Sequence, residues 1–305
     1  MVRQSRLFAA AGPVFCAAFL LTLLGSSPSF AITLTVQGGG AGAGCAGFLN
    51  TGSSPVSNSQ NCSNTDPTFA ATGSVAASAS AGHVGGSQEL HSFGSAAGTN
   101  MQATGIYTDL FLFHSSNPSQ TSTSISLNLD ALGTMTAGGP FATSEILLRV
   151  TIQSNSVGEL RANLDTTGAP HCASSFSGGA GCGGAFFSGG HLTTQAISVG
   201  LDAPVLIQLR LDASGSAAAP GSSSSSQFNN SLDFPIGVAL FNLEDGVTVD
   251  APDSFVVANI FAPPTSATPL PAALPLFAGG LGALGLIGWR RRCKLRCARQ
   301  GQFKE

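Results

Sequence analysis

Five histidines (His83, His91, His114, His171 and His191) and fourteen acids between residues 32 and 289 are the groups from which acid–base chemistry would be built. The histidines fall mostly in polar, turn-like contexts that suit surface residues better than general bases. Two carboxylate pairings, Glu145 with Glu159 and Asp109 with Asp130, have the residue types of a glycosidase pair. Such enzymes usually wall their clefts with aromatics, yet residues 32–267 hold one Tyr, Tyr107, and no Trp. There is no Gly-x-Ser-x-Gly elbow, no His-Glu-x-x-His helix and no P-loop. The glycine runs 38–40 and 178–184 lack lysine and the strand-to-helix context of a phosphate cradle. Glu244, Asp245, Asp250 and Asp253 crowd one turn, and converging carboxylates suit a hard cation, but the EF-hand ligand spacing is absent. They read as solvated turn acids. The chain is therefore expected to be no enzyme, with no catalytic residue, cofactor or metal.

The N-terminus says where these groups reside. Arg3 and Arg6 form a positive start, Val14 to Leu24 an apolar stretch, and Ser29-Phe30-Ala31 supplies the small residues that a signal peptidase reads. Cleavage is expected after Ala31. Cys16 lies in no lipobox and no twin arginine is present, so export through the Sec machinery fits.

Seven cysteines then divide by compartment. Cys16 leaves with the signal peptide, and Cys293 and Cys297 lie on the reducing, cytoplasmic side of the tail. Cys45, Cys62, Cys172 and Cys182 remain in the oxidising exterior. Three pairings are open to four cysteines. Local closure, Cys45–Cys62 and Cys172–Cys182, is expected because each closes a Gly/Ser-rich loop, and closing about 10–20 residues is worth roughly 3 kcal/mol in the chain-entropy account. A zinc site using Cys172 and the adjacent His171 is the alternative, but no Cys-x-x-Cys spacing supports it.

From Ala272 to Trp289 no residue is charged. A helix over these residues, roughly 18 long, spans about 27 Å, barely a bilayer core. Trp289 sits where an amphipathic ring favours the interface, and Arg290, Arg291 and Arg292 lead a basic cluster that holds its side in the cytoplasm. Glycine and alanine four apart (Ala278/Gly282, Gly279/Ala283) would let another helix approach closely. Charge follows the same division. Residues 32–289 carry three arginines, no lysine and fourteen acids, a net of −11, whereas 290–305 carry +6. An acidic exterior part without a basic stripe excludes nucleic acid as a partner.

The order of these parts carries a resemblance. The box Thr268-Pro269-Leu270-Pro271-Ala272, the Gly/Leu-rich span and the arginine cluster closely resemble the PEP-CTERM sorting signals, nearest the variant whose box reads Val-Pro-Leu-Pro-Ala. Thr268 stands where that variant has Val, and Leu295 to Glu305 prolong the usual short basic end. The match covers about 27 of 305 residues. It implies an exosortase-type membrane peptidase as partner, in a Gram-negative bacterium, and removal of the tail. More weakly, Ala76–Ala81, Tyr107-Thr-Asp109 and Asp245-Gly-Val-Thr-Val249 resemble pieces of the ectodomains that precede such tails, which suggests a β-sandwich with no single assigned activity.

The residues of the body point to the same architecture. Period-two alternation puts Ile146, Leu148, Val150 and Ile152 on one face, and likewise Val205, Ile207, Leu209 and Leu211, and Ile125, Leu127 and Leu129. Further strands are predicted at 32–37, 106–114, 192–199, 234–243, 247–250 and 255–261. Asp245-Gly246 is expected to close a two-residue hairpin between 238–243 and 247–249. The Ser/Ala/Gly-rich pieces 38–59 and 212–227 read as long loops or edge excursions. The expected fold is all-β, an antiparallel, jelly-roll-like sandwich over 32–262. A signal peptide (1–31) precedes it. The linker, sorting box, membrane helix (about 272–289) and basic tail follow at 263–305.

Two functions are expected. One is a non-catalytic surface or matrix protein, anchored at first in the inner membrane with a periplasmic domain, then held at the cell surface or released. It would be structural or adhesive and associated with exopolysaccharide in a biofilm. The other is a secreted carbohydrate-binding module or hydrolase, which would need carboxylates about 5–10 Å apart in a groove.

Overall fold

The computed structural model describes residues 32–263, apart from 41–43, 67–69, 95–98, 168–169 and 178–185. Ala31, Cys182, the sorting box Pro269, Leu270, Pro271 and Ala272, the apolar span, Trp289 and Arg290 to Arg292 all lie outside the described residues. The chain divides into two units after Pro263, and the described residues belong to the first. Among them no helix is long and apolar enough to cross a membrane.

The body is all-β and antiparallel. Its strands are β1 (Thr33–Gly40), β2 (Cys45–Gly52), β3 (Val56–Asn64), β4 (Ala71–Ser80), β5 (His83–Ser92), β6 (Thr99–Ser115), β7 (Ser122–Gly138), β8 (Ala142–Ile152) and β9 (Asn155–Asp165). There follow β10 (Pro170–Ser174), β11 (Phe186–Thr193), β12 (Ile197–Gly200), β13 (Pro204–Ala217), β14 (Ser223–Asp233), β15 (Phe241–Asn242), β16 (Val247–Asp250), β17 (Val256–Val257) and β18 (Ile260–Phe261). Sheet one runs β10-β9-β8-β13-β6-β1-β2, with β16 also on β6. Sheet two runs β11-β7-β14-β5-β4-β3, with β12 and β15 on β7. The two sheets pack face to face, and their inner faces merge into one core.

The alternation explains that core. Ile146, Leu148, Val150 and Ile152 on β8, Val205, Ile207, Leu209 and Leu211 on β13, and Ile125, Leu127 and Leu129 on β7 are all fully buried. Towards one end of the strands the layers are filled by rings. Tyr107, Phe111, Phe113, Phe234, Phe241 and Phe261 meet edge to face with centroids 5.2–6.1 Å apart, a geometry favoured by the ring quadrupoles.

Where rings are absent the sheets come much closer. A Cβ added at Gly105 of β6 would lie 2.8 Å from the carbonyl oxygens of Gly85 and Ser78 in the opposite sheet. One at Gly86 would lie 2.8 Å from a Leu211 methyl. This proximity corrects one expectation. Residues 38–59 and 212–227 are mostly strand rather than long loop; β2 and β3 are edge strands, as the alternative reading of 38–59 allowed, whereas β13 and β14 lie inside their sheets. In 212–227 the small residues Ala213, Gly215, Ala217, Ser224 and Ser226 are buried where little room is left, and are not signs of irregular structure.

Other expectations change for local reasons. Residues 234–243 form no continuous strand. Pro235 and Gly237 (φ 73°) break the ladder; Phe241–Asn242 pairs with β7, and Ile236 and Ala239 make only single bridges, to Phe261 and Ile260. Residues 255–261 fold into a tight hairpin, because Ala258 (φ 49°) and Asn259 (φ 69°) supply the two positive φ values of its turn. The strand predicted at 192–199 is interrupted at 194–196, where Thr194 exchanges hydrogen bonds with the backbone of Leu127 (2.9 and 3.0 Å). Asp245-Gly246 closes no hairpin, since β15 pairs with β7 in one sheet and β16 with β6 in the other. Only Gly246 has positive φ (80°), and Val247 N–H bonds to Glu244 C=O at 3.1 Å. That is a type II turn carrying the chain between sheets.

Cys45 and Cys62 form a disulfide with Cα atoms 5.1 Å apart, as expected, tying β2 of sheet one to β3 of sheet two. Cys172 is also disulfide-bonded.

The contact at Gly105 yields a test. Overpacking a full core costs about 1–3 kcal/mol, and backbone carbonyls cannot step aside as a side chain can. Gly105→Ala is expected to lose at least that much in denaturant unfolding. Gly200→Ala, whose Cβ would meet nothing closer than 3.9 Å, is expected to stay within about 0.5 kcal/mol.

Candidate functional site

Three polar constellations stand out, one on each outer face and one between the sheets. On sheet one, the outward positions of β6, β13, β8 and β9 pair in rows across the strands. Gln102 faces Ser214, which faces Glu145, which faces Asn163. Beside this row Asn100 faces Ser216, which faces Thr143, and the last two hydroxyls are hydrogen-bonded at 2.8 Å. At the β1 end Gly39 and Gly40 contribute no side chain, and a cleft of about 370 Å³ opens there, lined by the carboxamides of Asn100 and Gln102, the hydroxyls of Thr143, Ser214 and Ser216, and Glu145. That volume is within the usual range for ligand clefts, about 300–1,000 Å³.

All three arginines of the body share this face. Arg149 pairs with Glu159 at 3.0 Å, Arg161 with Glu145 at 3.7 Å and Arg210 with Asp212 at 2.7 Å. Glu145 and Glu159 thus lie on one face, as a glycosidase pair would require. However, they are staggered by four residues along β8 and β9, because Glu145 opposes Asn163 and Glu159 opposes Arg149. At about 3.3 Å per residue the stagger is roughly 13 Å, beyond the spacing that chemistry uses. Each is engaged by an arginine instead.

The second expected pair is separated by the fold. Asp109 points from β6 into the interior, 1% exposed, whereas Asp130 stands half-exposed on the outer face of sheet two. There Asp130 opposes Asp233 across β7 and β14, and each is held by a histidine at 2.5 Å, Asp233 by His83 and Asp130 by His191. The other ring nitrogen of His83 faces Ser78 Oγ at 3.2 Å. Ser78, His83 and Asp233 therefore occur in the atom order of a nucleophile, base and orienting acid. Their setting lacks the remaining part. Ser78 lies mid-strand with β3 on one side and β5 on the other, so ladder bonds engage the nearby backbone N–H groups from which an oxyanion hole would be made. Neither the row nor its alternating His-Asp-Asp-His arrangement was legible in sequence. The pairing of β5, β14, β7 and β11 creates it from residues up to 150 positions apart.

His91, His114, Glu244 and Asp250 have local partners. His91 pairs with Glu89 (3.0 Å) and His114 with Asp202 (2.6 Å), while His171 is exposed. Glu244 accepts hydrogen bonds from Gln120 Nε2 (2.8 Å) and the Ser124 N–H (3.2 Å), and Asp250 accepts one from Ala258 N–H (3.0 Å). These acids brace turns, and among the described residues no group of three or more His, Cys, Asp or Glu is arranged to hold a metal ion.

The third constellation is buried. Tyr107 Oη meets Ser254 Oγ at 2.5 Å and donates to Asp109 Oδ2 at 3.3 Å, and the Ser254 hydroxyl donates to the same oxygen. Asp109 Oδ1 has no partner among the described residues. Burial raises the Asp109 carboxyl above its ordinary 3.8. Burial, then the charge of Asp109, pushes the Tyr107 phenol well above 10. The cluster pins the short 3-10 turn Pro252–Ser254, and with it the end of the body, onto sheet one. Asp109, Tyr107 and Ser254 are all almost fully buried, and held together by hydroxyl hydrogen bonds they form a structural lock.

Compared with known proteins, the chain matches no family model, no curated protein and no solved structure.

The lock has a measurable signature. Both groups hold their proton more tightly folded than unfolded, so the unfolded chain binds fewer protons and stability falls as pH rises. The Asp109 contribution is full below about pH 3.8 and fades as pH climbs through its raised folded value. That of Tyr107 fades above pH 10. Tyr107 is the only tyrosine in the chain, so ultraviolet absorbance of the phenolate reports it alone. Phenolate is expected to appear together with unfolding rather than near pH 10. Asp109→Asn, which keeps the shape without the buried charge, is expected to flatten the fall in stability between acid and neutral pH.

Proposed function

We propose that the protein is an exported, non-catalytic surface or matrix component that a C-terminal sorting signal delivers to the cell envelope. The observation that carries this reading is the order of Thr268-Pro269-Leu270-Pro271-Ala272, the uncharged run to Trp289 and the cluster Arg290, Arg291 and Arg292. In this reading residues 1–31 are a signal peptide removed after Ala31, 272–289 span the inner membrane as a helix, and an exosortase-type peptidase acts at the box. The Cys45–Cys62 disulfide supports export, because such bonds persist in oxidising compartments. We assign the second disulfide to Cys172 and Cys182, and the sandwich to the jelly-roll-like class.

The outer face of sheet one suggests the partner. Its cleft offers two carboxamides, three hydroxyls and one carboxylate without a free cation, which suits a neutral, polyhydroxylated polymer better than an anion. Exopolysaccharide is such a polymer, and the rows of donors and acceptors across the strands would contact it along its length.

Two outcomes are expected. Mass spectrometry of the mature protein should find its N-terminus at Ile32 and its C-terminus within or beside the 268–272 box. In exosortase-deficient cells the tail should remain. Retention at the envelope after deletion of 268–305 would sink the sorting reading. In co-sedimentation with neutral exopolysaccharide, Asn100→Ala combined with Gln102→Ala should weaken binding about tenfold, the equivalent of 1.4 kcal/mol. Unchanged binding would remove the cleft from the proposal.

A further inference from the structure

At the end of the body where the described chain stops, several large apolar side chains face solvent. Ile236 is 71% exposed and Val257 64%, with Val238, Ile260 and Phe255 exposed beside them in sequence. The fold brings the two segments together. Val257 opposes Ile260 across the β17–β18 hairpin, Ala239 bridges to Ile260 and Ile236 to Phe261. Neither 234–243 nor 254–263 contains a charged residue. Contiguous exposed apolar surface of this kind marks an interaction site in a soluble body.

The patch is built rather than frayed. Asn259 at the hairpin turn accepts from Phe241 N–H and donates to Phe241 C=O, both at 2.8 Å, and Asp250 receives Ala258 N–H. On the inward side of the same hairpin Val256 and Phe261 are buried, and Phe261 stacks edge to face on Phe234. The outward residues are therefore held in place by a core that they do not join.

We propose that this patch rests on the surface of a lipid bilayer, with Val257, Ile260 and Ile236 entering the interfacial layer. The inference depends on the reading of 272–289 as a membrane span. Pro263, three residues past Ile260, precedes Ala272 by nine residues, a tether of at most about 30 Å. A body so tethered cannot move far from the membrane, and its uncharged apolar end is the one beside the tether. Residues 32–289 carry a net −11, so zwitterionic lipid suits the contact better than anionic lipid. Amphipathic helices that lie in the interface bury their apolar face about 5–10 Å into the headgroup boundary, the layer that these side chains would enter.

Trp289 is the only tryptophan, which permits a direct test on the full chain. Ile260→Trp combined with Trp289→Phe, and separately Val257→Trp with Trp289→Phe, would be reconstituted in phosphatidylcholine/phosphatidylethanolamine vesicles with and without brominated acyl chains. Phe141→Trp with Trp289→Phe, at the far end of the strands beside Ala142 and Ala217, is the control. The expected result is co-flotation with the vesicles and bromine quenching at 260 and 257 but not at 141. Co-flotation without quenching at 260 and 257 overturns the patch alone. Failure to co-float overturns the membrane span and the patch together. A blue shift at 260 that grows with protein concentration in the absence of vesicles would show a second copy as the partner, and overturns the lipid contact.

Discussion

The approach of two backbones at Gly105 conditions most of this structure. Sheets in a sandwich normally stand about 10 Å apart, separated by interdigitating side chains. At Gly105 a side chain would not fit without a shift, because the Gly85 and Ser78 carbonyl oxygens stand 2.8 Å from where its Cβ would be. Further along β6, Phe111 and Phe113 meet Phe241 and hold the layers apart. The sandwich is thus narrow at its small residues and wide at its rings. The residues that cover the wide end, Phe234, Phe241 and Phe261, come from the irregular segments near the end of the body.

That asymmetry explains the buried lock. Closing the wide end requires the chain after β16 to turn back onto sheet one, and Ser254 reaches Asp109 and Tyr107 in doing so. An acid in that position costs stability whenever it is ionised, since burial favours its neutral form. Its hydroxyl partners offset part of this cost. The same closure leaves the outward face of the β17–β18 hairpin uncovered, so the lock and the exposed apolar patch are two sides of one short segment.

Polar chemistry is distributed by the pleat. On β8 Ile146, Leu148, Val150 and Ile152 point in and are fully buried while Glu145 and Arg149 point out, and each outward ion pair follows from cross-strand register. Such pairs were invisible in the sequence because register depends on partners far away. Glu145 and Glu159 are only fourteen positions apart, yet a hairpin staggers them, and Asp130 and Asp233, over a hundred positions apart, are brought face to face. Strands rich in large β-branched and aliphatic residues were legible from alternation alone. Strands built mainly of small or polar residues, such as β3 and β14 with their Ser and Asn and β4 with its Ala and Ser, are not legible in this way, since their side chains carry little hydrophobic contrast between faces.

By itself the sequence determined the class of the body, the alternating strands that bury its largest aliphatics, the local Cys45–Cys62 closure and the division between an acidic body and a basic tail. Each rests on a pattern carried by neighbours in the chain, which is where periodicity, loop closure and charge are written. Only the tertiary structure decided which polar side chains meet. It set Ser78, His83 and Asp233 in one row, drew Asp109 inside against Tyr107 and Ser254, and opened the cleft beside Gly39 and Gly40. The physical reason is that sheet register and inter-sheet spacing are properties of the whole packed core, and no single strand contains them.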